Sequence, residues 1–278
     1  MAARRRQSAT NSWQWASCSV ISPPIIARRT CTDRCATPSL PLPPDPSPLE
    51  RQGHMRIGIL GTGTLAAALG EGWARAGHEV AIGGRSRAKA EKLAERLGRR
   101  ALAVAPREAV TGCDAVLLAV SWDGVEDMLG SVGASDGVLE GMPLIDPTNA
   151  VTHGIGTLLT EQGESMAGRI AGLAPGARVV KAFHLFPADQ WTSPPDDGQS
   201  PVTVAVTVTV AMCGDDARAL HVVGELVRDV GGVPATLGPL DRARQLEEAA
   251  GFVIGLTFTG FDPGSAVPHI PSNVPQAR

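Results

Sequence analysis

A short apolar run, Arg56-Ile57-Gly58-Ile59-Leu60, passes straight into Gly61-Thr62-Gly63-Thr64-Leu65-Ala66. Beyond it Leu65, Leu69, Trp73 and Ala76 recur at helical spacing, and Gly77 stands where such a helix would stop. A strand, a glycine turn and a helix in immediate succession form the first unit of an open parallel sheet, because parallel neighbours need a crossover to bring the chain back. The turn reads G-x-G-x-x-A. Gly61 permits the sharp bend, Gly63 lets the backbone approach a pyrophosphate, and Ala66 keeps helix and sheet close. The phosphates would sit on the free N–H groups that open the helix. Gly61, Thr62, Gly63, Thr64 and Leu65 are therefore the expected dinucleotide contacts.

The second strand, Glu79-Val80-Ala81-Ile82, selects between dinucleotides. An acidic residue at its end would accept hydrogen bonds from the ribose hydroxyls of NAD. The chain instead continues Gly83-Gly84-Arg85-Ser86-Arg87-Ala88-Lys89. With Ser86 as N-cap, Arg87 and Lys89 fall in the first helical turn, where the helix dipole opposes each cation by roughly 0.3–1 kcal/mol. A bound 2′-phosphate reverses that penalty, so Arg85, Ser86 and Lys89 point to NADP(H). A solvated basic helix face is the competing reading.

The βα rhythm continues through Ala101–Val104, a short helix from Pro106, and the buried strand Asp114–Val120, followed by Ser121-Trp122-Asp123. Leu144-Ile145 is the next strand, ending in Asp146-Pro147-Thr148-Asn149, and Val179–Phe183 is a sixth. Ligands of open α/β sheets bind at the carboxyl ends of the strands. Ser121, Trp122 and Asn149 are thus candidates for the nicotinamide end, although Asp-Pro and Thr-Asn are equally ordinary turn residues. The fold class is α/β, a Rossmann-type doubly wound parallel sheet over residues 55–183. A small α+β domain over 184–278 is expected to complete the site for a second cofactor and to form a dimer contact.

Bulk composition removes several alternatives. There is no tyrosine among the 278 residues, so no phenol serves as general acid and a Tyr/Lys dehydrogenase mechanism is excluded. Five cysteines, an odd number without clustered spacing in the globular part, argue against a disulfide framework and favour a reducing, cytoplasmic setting, and Cys31-x3-Cys35, half of a metal site, has no second ligand pair nearby. No run reaches ~18 apolar residues, so no membrane span is expected. Seven arginines in residues 1–54 face only three acids, which leaves an acidic body poorly suited to nucleic acid. That opening segment holds eight prolines and no helical or strand period. It is expected to be disordered, with Met55 as the true start. Lysines occur only at 89, 92 and 181.

Later segments carry a resemblance. Gly61-Thr62-Gly63, the Gly84-Arg85 to Lys89 stretch, Lys181-Ala182-Phe183-His184-Leu185-Phe186-Pro187-Ala188, Cys213-Gly214-Asp215-Asp216 and Gly238-Pro239-Leu240-Asp241-Arg242-Ala243-Arg244-Gln245-Leu246-Glu247 occur in one order. Together they resemble the NADP-dependent deazaflavin oxidoreductases, enzymes that pass a hydride between NADP(H) and coenzyme F420. The resemblance implies direct transfer between stacked rings, with F420 as co-substrate and a flavin as the alternative. It places His184 and Phe186 beside the rings. Gly84 departs from the hydroxyl residue often found before the phosphate-binding Arg, which shifts that task to Arg85, Ser86 and Lys89.

In the last third, Val202–Val210 alternates as a half-buried strand with a repeated Val-Thr-Val, and Asp215 or Asp216 caps a helix bearing Leu220, Val223, Val227 and Val230. Val233–Leu237 gives another strand. Residues 240–258 form a helix, apolar nearly all round at its end, which suggests a homodimer contact. Rival readings are a pyrroline-carboxylate or imine reductase, a flavin-dependent variant like the domain of metalloreductases, and a non-enzymatic NADP sensor.

Overall fold

Strands buried on both faces carry apolar side chains without alternation, and the core strands of this chain do so. The computed structural model describes residues 53–192 and 208–268. The expectations for the opening segment therefore lie, apart from its last two residues, outside the described residues. So does Val202–Thr207 of the alternating run.

One eight-stranded sheet organises the described chain, in the order β3-β2-β1-β4-β5-β6-β7-β8. The strands are β1 (Arg56–Leu60), β2 (Glu79–Gly83), β3 (Ala101–Ala103), β4 (Ala115–Leu118), β5 (Pro143–Asp146), β6 (Arg178–Lys181), β7 (Thr209–Gly214) and β8 (Val233–Gly238). β1 to β6 are parallel, β7 runs antiparallel to β6, and β8 is parallel to β7. β7 and β8 lie beyond residue 183 and continue the same sheet. The helices are α1 (Thr64–Ala76), α2 (Arg87–Leu97), α3 (Pro106–Ala109), α4 (Val125–Val132), α5 (Met166–Leu173), α6 (Ala217–Asp229) and α7 (Ala243–Phe258).

The period of two along each strand sorts the core into two layers. Ile57, Ile59, Leu117, Ile145 and Val180 face α1, α2 and α6. Leu60, Val116, Leu118, Leu144 and Val179 face α3, α4, α5 and α7. Trp73 of α1 is fully buried, and its Nε1 donates to the Leu226 carbonyl of α6 at 2.9 Å. Nearby, His78 Nε2 meets Asp229 Oδ2 at 2.9 Å, which ties the end of α1 to the end of α6.

Several boundaries differ from the sequence reading. Ala76, expected on the inward face of α1, is exposed. The seventh strand runs from Thr209 to Gly214, so the Cys213-Gly214 pair is strand, while Val202–Thr207 of the expected run lies outside the described residues. Asp216 is the cap of α6, its Oδ1 accepting from the Ala219 amide at 2.8 Å; Asp215 instead accepts from the Leu240 amide. The last long helix begins at Ala243, after a 3-10 turn over Leu240–Arg242. α4 and α5 are short, eight residues each, and glycines in or beside both blur their helical period. Among the described residues no helix is long and apolar enough to cross a membrane.

Candidate functional site

The order β2-β1-β4-β5-β6 lays five carboxyl ends along one edge of the sheet, because these strands are parallel and level in register. Leu60 stands opposite both Gly83 and Leu118, and Asp146 opposite Lys181. At about 4.8 Å per strand this edge spans roughly 20 Å, the reach of an extended dinucleotide. The crossover reverses between β1 and β4, the switch point where a crevice opens.

At the head of that crevice Gly61 has φ +133°, and a Cβ there would come within 2.0 Å of the Ala119 carbonyl oxygen. Its amide donates to the Gly83 carbonyl at 2.8 Å, which ties the turn after β1 to the end of β2. Gly63 is exposed, with open space where its Cβ would stand. α1 starts there with no side-chain cap and no acidic residue in its first turn. An exposed, uncapped N-terminus on a 13-residue helix suits a pyrophosphate, whose oxygens accept from the free amides of that turn. Thr62, Thr64 and Leu65 sit in this same turn.

One strand over, Ser86 caps α2, its Oγ accepting from the Lys89 amide at 3.4 Å. Arg85, Arg87 and Lys89 are all exposed. Arg87 is taken up by Glu91, Nε to Oε1 at 2.8 Å, whereas Arg85 and Lys89 have no ion-pair partner among the described residues. Gly84 also has a local cause: a Cβ on it would press on the Thr62 methyl group at 3.0 Å. The missing hydroxyl side chain thus leaves room for Thr62.

On the far side, Ser121 and Trp122 follow β4 and are exposed, Trp122 opening a 3-10 turn over Trp122–Gly124. Asn149 follows β5 and His184 follows β6, and the two are joined: Asn149 Nδ2 donates to the His184 carbonyl at 2.6 Å. Phe183, immediately before His184, has φ +60°, the one non-glycine residue in the left-handed region among those described. For a bulky side chain this conformation costs about 1–3 kcal/mol. It is held by edge-on ring contacts with Trp73 at 6.1 Å and Trp191 at 5.3 Å. Phe186 also packs edge-on against Trp191, with ring centroids 6.0 Å apart.

Polar atoms at this end lack partners. Asn149 Oδ1, both ring nitrogens of His184 and Trp191 Nε1 are buried without a hydrogen bond among the described residues. Such groups cost free energy unless something satisfies them, and two of these residues, Asn149 and His184, follow the neighbouring strands β5 and β6 and touch each other. The His184 pKa is pushed down to about 3, first by burial and then by the Lys181 charge; the Leu246 backbone approaches the ring without the geometry of a hydrogen bond and opposes the shift only in part. The imidazole is therefore neutral at any working pH.

This has a measurable consequence. The unfolded chain takes up a proton on His184 near pH 6.5 and the folded chain only near pH 3, so the folded state loses ground as pH falls between those values. The slope is at most about 1.4 kcal/mol per pH unit and vanishes above about pH 7. In thermal melts at pH 7 and pH 5, the His184→Gln protein should lose less stability on acidification than the wild type. Equal losses would mean that His184 is protonated in the fold.

The grouping that the sequence reading missed lies at the ends of β5 and β6. Lys181, Asp146 and Glu247 are all fully buried and meet in one ion cluster. The rarity of lysine singled out Lys181, but its partners come from β5 and α7, which no local pattern connects. Cys213, opposite Lys181 on β7, has its thiol pushed up to about 11 mainly by burial, so it stays protonated and inert.

Together the sheet order, the glycine turn and the uncapped helix end have the geometry of a Rossmann-type dinucleotide-binding crevice. Residues 56–150 match the model of the family described as NADP oxidoreductase, coenzyme F420-dependent. Among curated proteins, the chain is similar to the metalloreductase STEAP3 of Rattus norvegicus, 28% identical over 192 residues that cover 69% of this chain and 36% of that protein. The chain thus spans about a third of the length of the curated relatives it matches. Among solved structures, a candidate F420-dependent NADP-reductase from Arthrobacter sp. FB24 aligns with TM-score 0.62 at 25% identity, over 75% of this chain and 96% of that one. A reductive aminase from Aspergillus terreus, solved with NADPH4, cyclohexanone and allyl amine, aligns with TM-score 0.50 at 20% identity, over 71% and 59%. The last likeness concerns the fold alone.

Proposed function

We propose that this protein transfers a hydride between NADP(H) and a deazaflavin of the F420 type, directly from ring to ring. The observation that carries the reading is the His184 end of the crevice: a buried, neutral imidazole beside an unpartnered Asn149 Oδ1 on a strained, aromatic-backed loop. The family match over residues 56–150 and the Arthrobacter structure support it. When bound, the nicotinamide supplies or accepts the hydride at C4 and the deazaflavin exchanges it at C5.

Everything else falls to the chain. The Gly61–Leu65 turn and the α1 N-terminus would hold the pyrophosphate, and Arg85, Ser86 and Lys89 the 2′-phosphate. Asn149 Oδ1 and the His184 ring offer an acceptor and a donor to a primary carboxamide, which fixes the plane of the nicotinamide. Phe186 and the exposed Trp122 supply apolar surface for a second ring and exclude water from it. No protein acid or nucleophile is required, in keeping with the absence of tyrosine and the neutral His184.

A flavin in the place of the deazaflavin is the second reading, kept because curated proteins similar to this chain are named metalloreductases and not F420-dependent enzymes. The test follows NADPH absorbance with purified protein and, in separate reactions, oxidised F420, FMN, FAD and a cyclic imine. Oxidation with F420 well above that with flavins is the expected result. A preference for a flavin or the imine would replace the deazaflavin, and NADPH binding without any turnover would return the protein to a sensor role.

A further inference from the structure

The buried cluster below the crevice is fully saturated. Lys181 Nζ donates to Asp146 Oδ2 at 3.0 Å, to Glu247 Oε1 at 2.9 Å and to the Thr148 carbonyl. Those are all the protons an ammonium carries, so none is left for a ligand. Asp146 Oδ1 accepts from the Thr148 amide at 2.8 Å and the Thr148 hydroxyl at 2.6 Å. Glu247 accepts from the amides of Met166 at 2.9 Å and Ala167 at 3.2 Å, in the first turn of α5, where the helix end helps to carry the second negative charge.

Stability alone does not account for such a cluster, because buried ion pairs are often no better than apolar packing of the same volume. What apolar packing cannot do is grip a residue by its polar atoms. Thr148 is held through its amide, its hydroxyl and its carbonyl at once. The next residue is Asn149, which holds the His184 carbonyl, and His184 lies three residues beyond Lys181. The cluster therefore grips both strand ends that carry unpartnered polar atoms, and Glu247 locks α7 to the same point.

We propose that Lys181, Asp146 and Glu247 form a positioning triad that sets Asn149 and His184 for the nicotinamide half of the dinucleotide, acting through Thr148 without touching the ligand. The inference rests on the reading of the crevice as an NADP site. It predicts damage confined to one half of the ligand, since the phosphate anchors at Gly61–Leu65 and Arg85 stand on other strands. A role in folding alone would move both halves together or neither.

The test compares dissociation constants for NADPH and for 2′,5′-ADP, which lacks the nicotinamide, in Glu247→Gln, Thr148→Val and Thr148→Ser. In Glu247→Gln NADPH binding should weaken about tenfold and 2′,5′-ADP binding less than twofold. Thr148→Val should weaken NADPH several-fold in the same selective way, and Thr148→Ser, which keeps the hydroxyl, should restore it. If Glu247→Gln does not fold, the Thr148 pair decides. Equal weakening of both ligands, or unchanged NADPH affinity in folded Glu247→Gln and Thr148→Val, overturns the triad. Failure of the wild-type protein to bind either ligand would overturn the NADP reading, and the triad with it.

Discussion

Gly61→Ala should abolish NADPH binding and cost the fold about 2–4 kcal/mol. Two effects add at this position. A φ of +133° lies where only glycine rests without strain, and the new Cβ would meet a backbone oxygen, Ala119 O, at 2.0 Å. That oxygen belongs to the chain leaving β4, so relief requires moving either β4 or the turn. The turn cannot yield cheaply, because its amide is bonded to Gly83 of the neighbouring strand. Either movement displaces the α1 N-terminus from the pyrophosphate. Thermal melts with and without NADPH separate the two effects: at a hundredfold excess over its dissociation constant, the ligand stabilises the wild type by about 2.7 kcal/mol. The variant should melt earlier and show no ligand-induced shift. A wild-type shift in Gly61→Ala would place the phosphates elsewhere.

Arg85→Ala should weaken NADPH by roughly 10–100-fold, the loss of a charge-assisted phosphate contact of about 1.5–3 kcal/mol, and should leave NADH within a few-fold of its wild-type affinity. The three neighbouring cations are not equivalent. Arg87 is already paired with Glu91 at 2.8 Å, so Arg87→Ala should matter little. Lys89 is exposed and unpaired among the described residues, and its loss on top of Arg85 should nearly equalise the two dinucleotides. Titrations with NADPH and NADH check this directly. Equal weakening of both by Arg85→Ala would mean that the 2′-phosphate does not lie at this helix start.

The nucleotide half was legible because its signals are local. Gly61, Gly63 and Ala66 occupy fixed offsets between a strand and a helix, and Ser86 announces the start of α2 through a side chain that competes for backbone N–H groups. Partners that are close only in space were not legible. Asp146 reads as a turn residue and Glu247 as one charge on an amphipathic helix. Only the sheet, which sets β5 beside β6 and packs α7 over them, brings both to Lys181. Phe183 shows the same limit: nothing in Lys181-Ala182-Phe183-His184 announces a positive φ, which the aromatic contacts of Trp73 and Trp191 impose. His184 was reached through resemblance, and its neutrality through burial, a property of the fold and not of its neighbours in sequence.

Direct transfer between two rings can be tested with the atom that moves. Wild-type protein is incubated with NADPH carrying deuterium at C4, each face labelled in turn, and oxidised F420, and the product is analysed by mass spectrometry. For one of the two labels, reduced F420 should carry one deuterium at C5, with none released to water. Deuterium recovered in solvent with both labels, or NADPH consumed without reduction of F420, would contradict direct hydride transfer at this site.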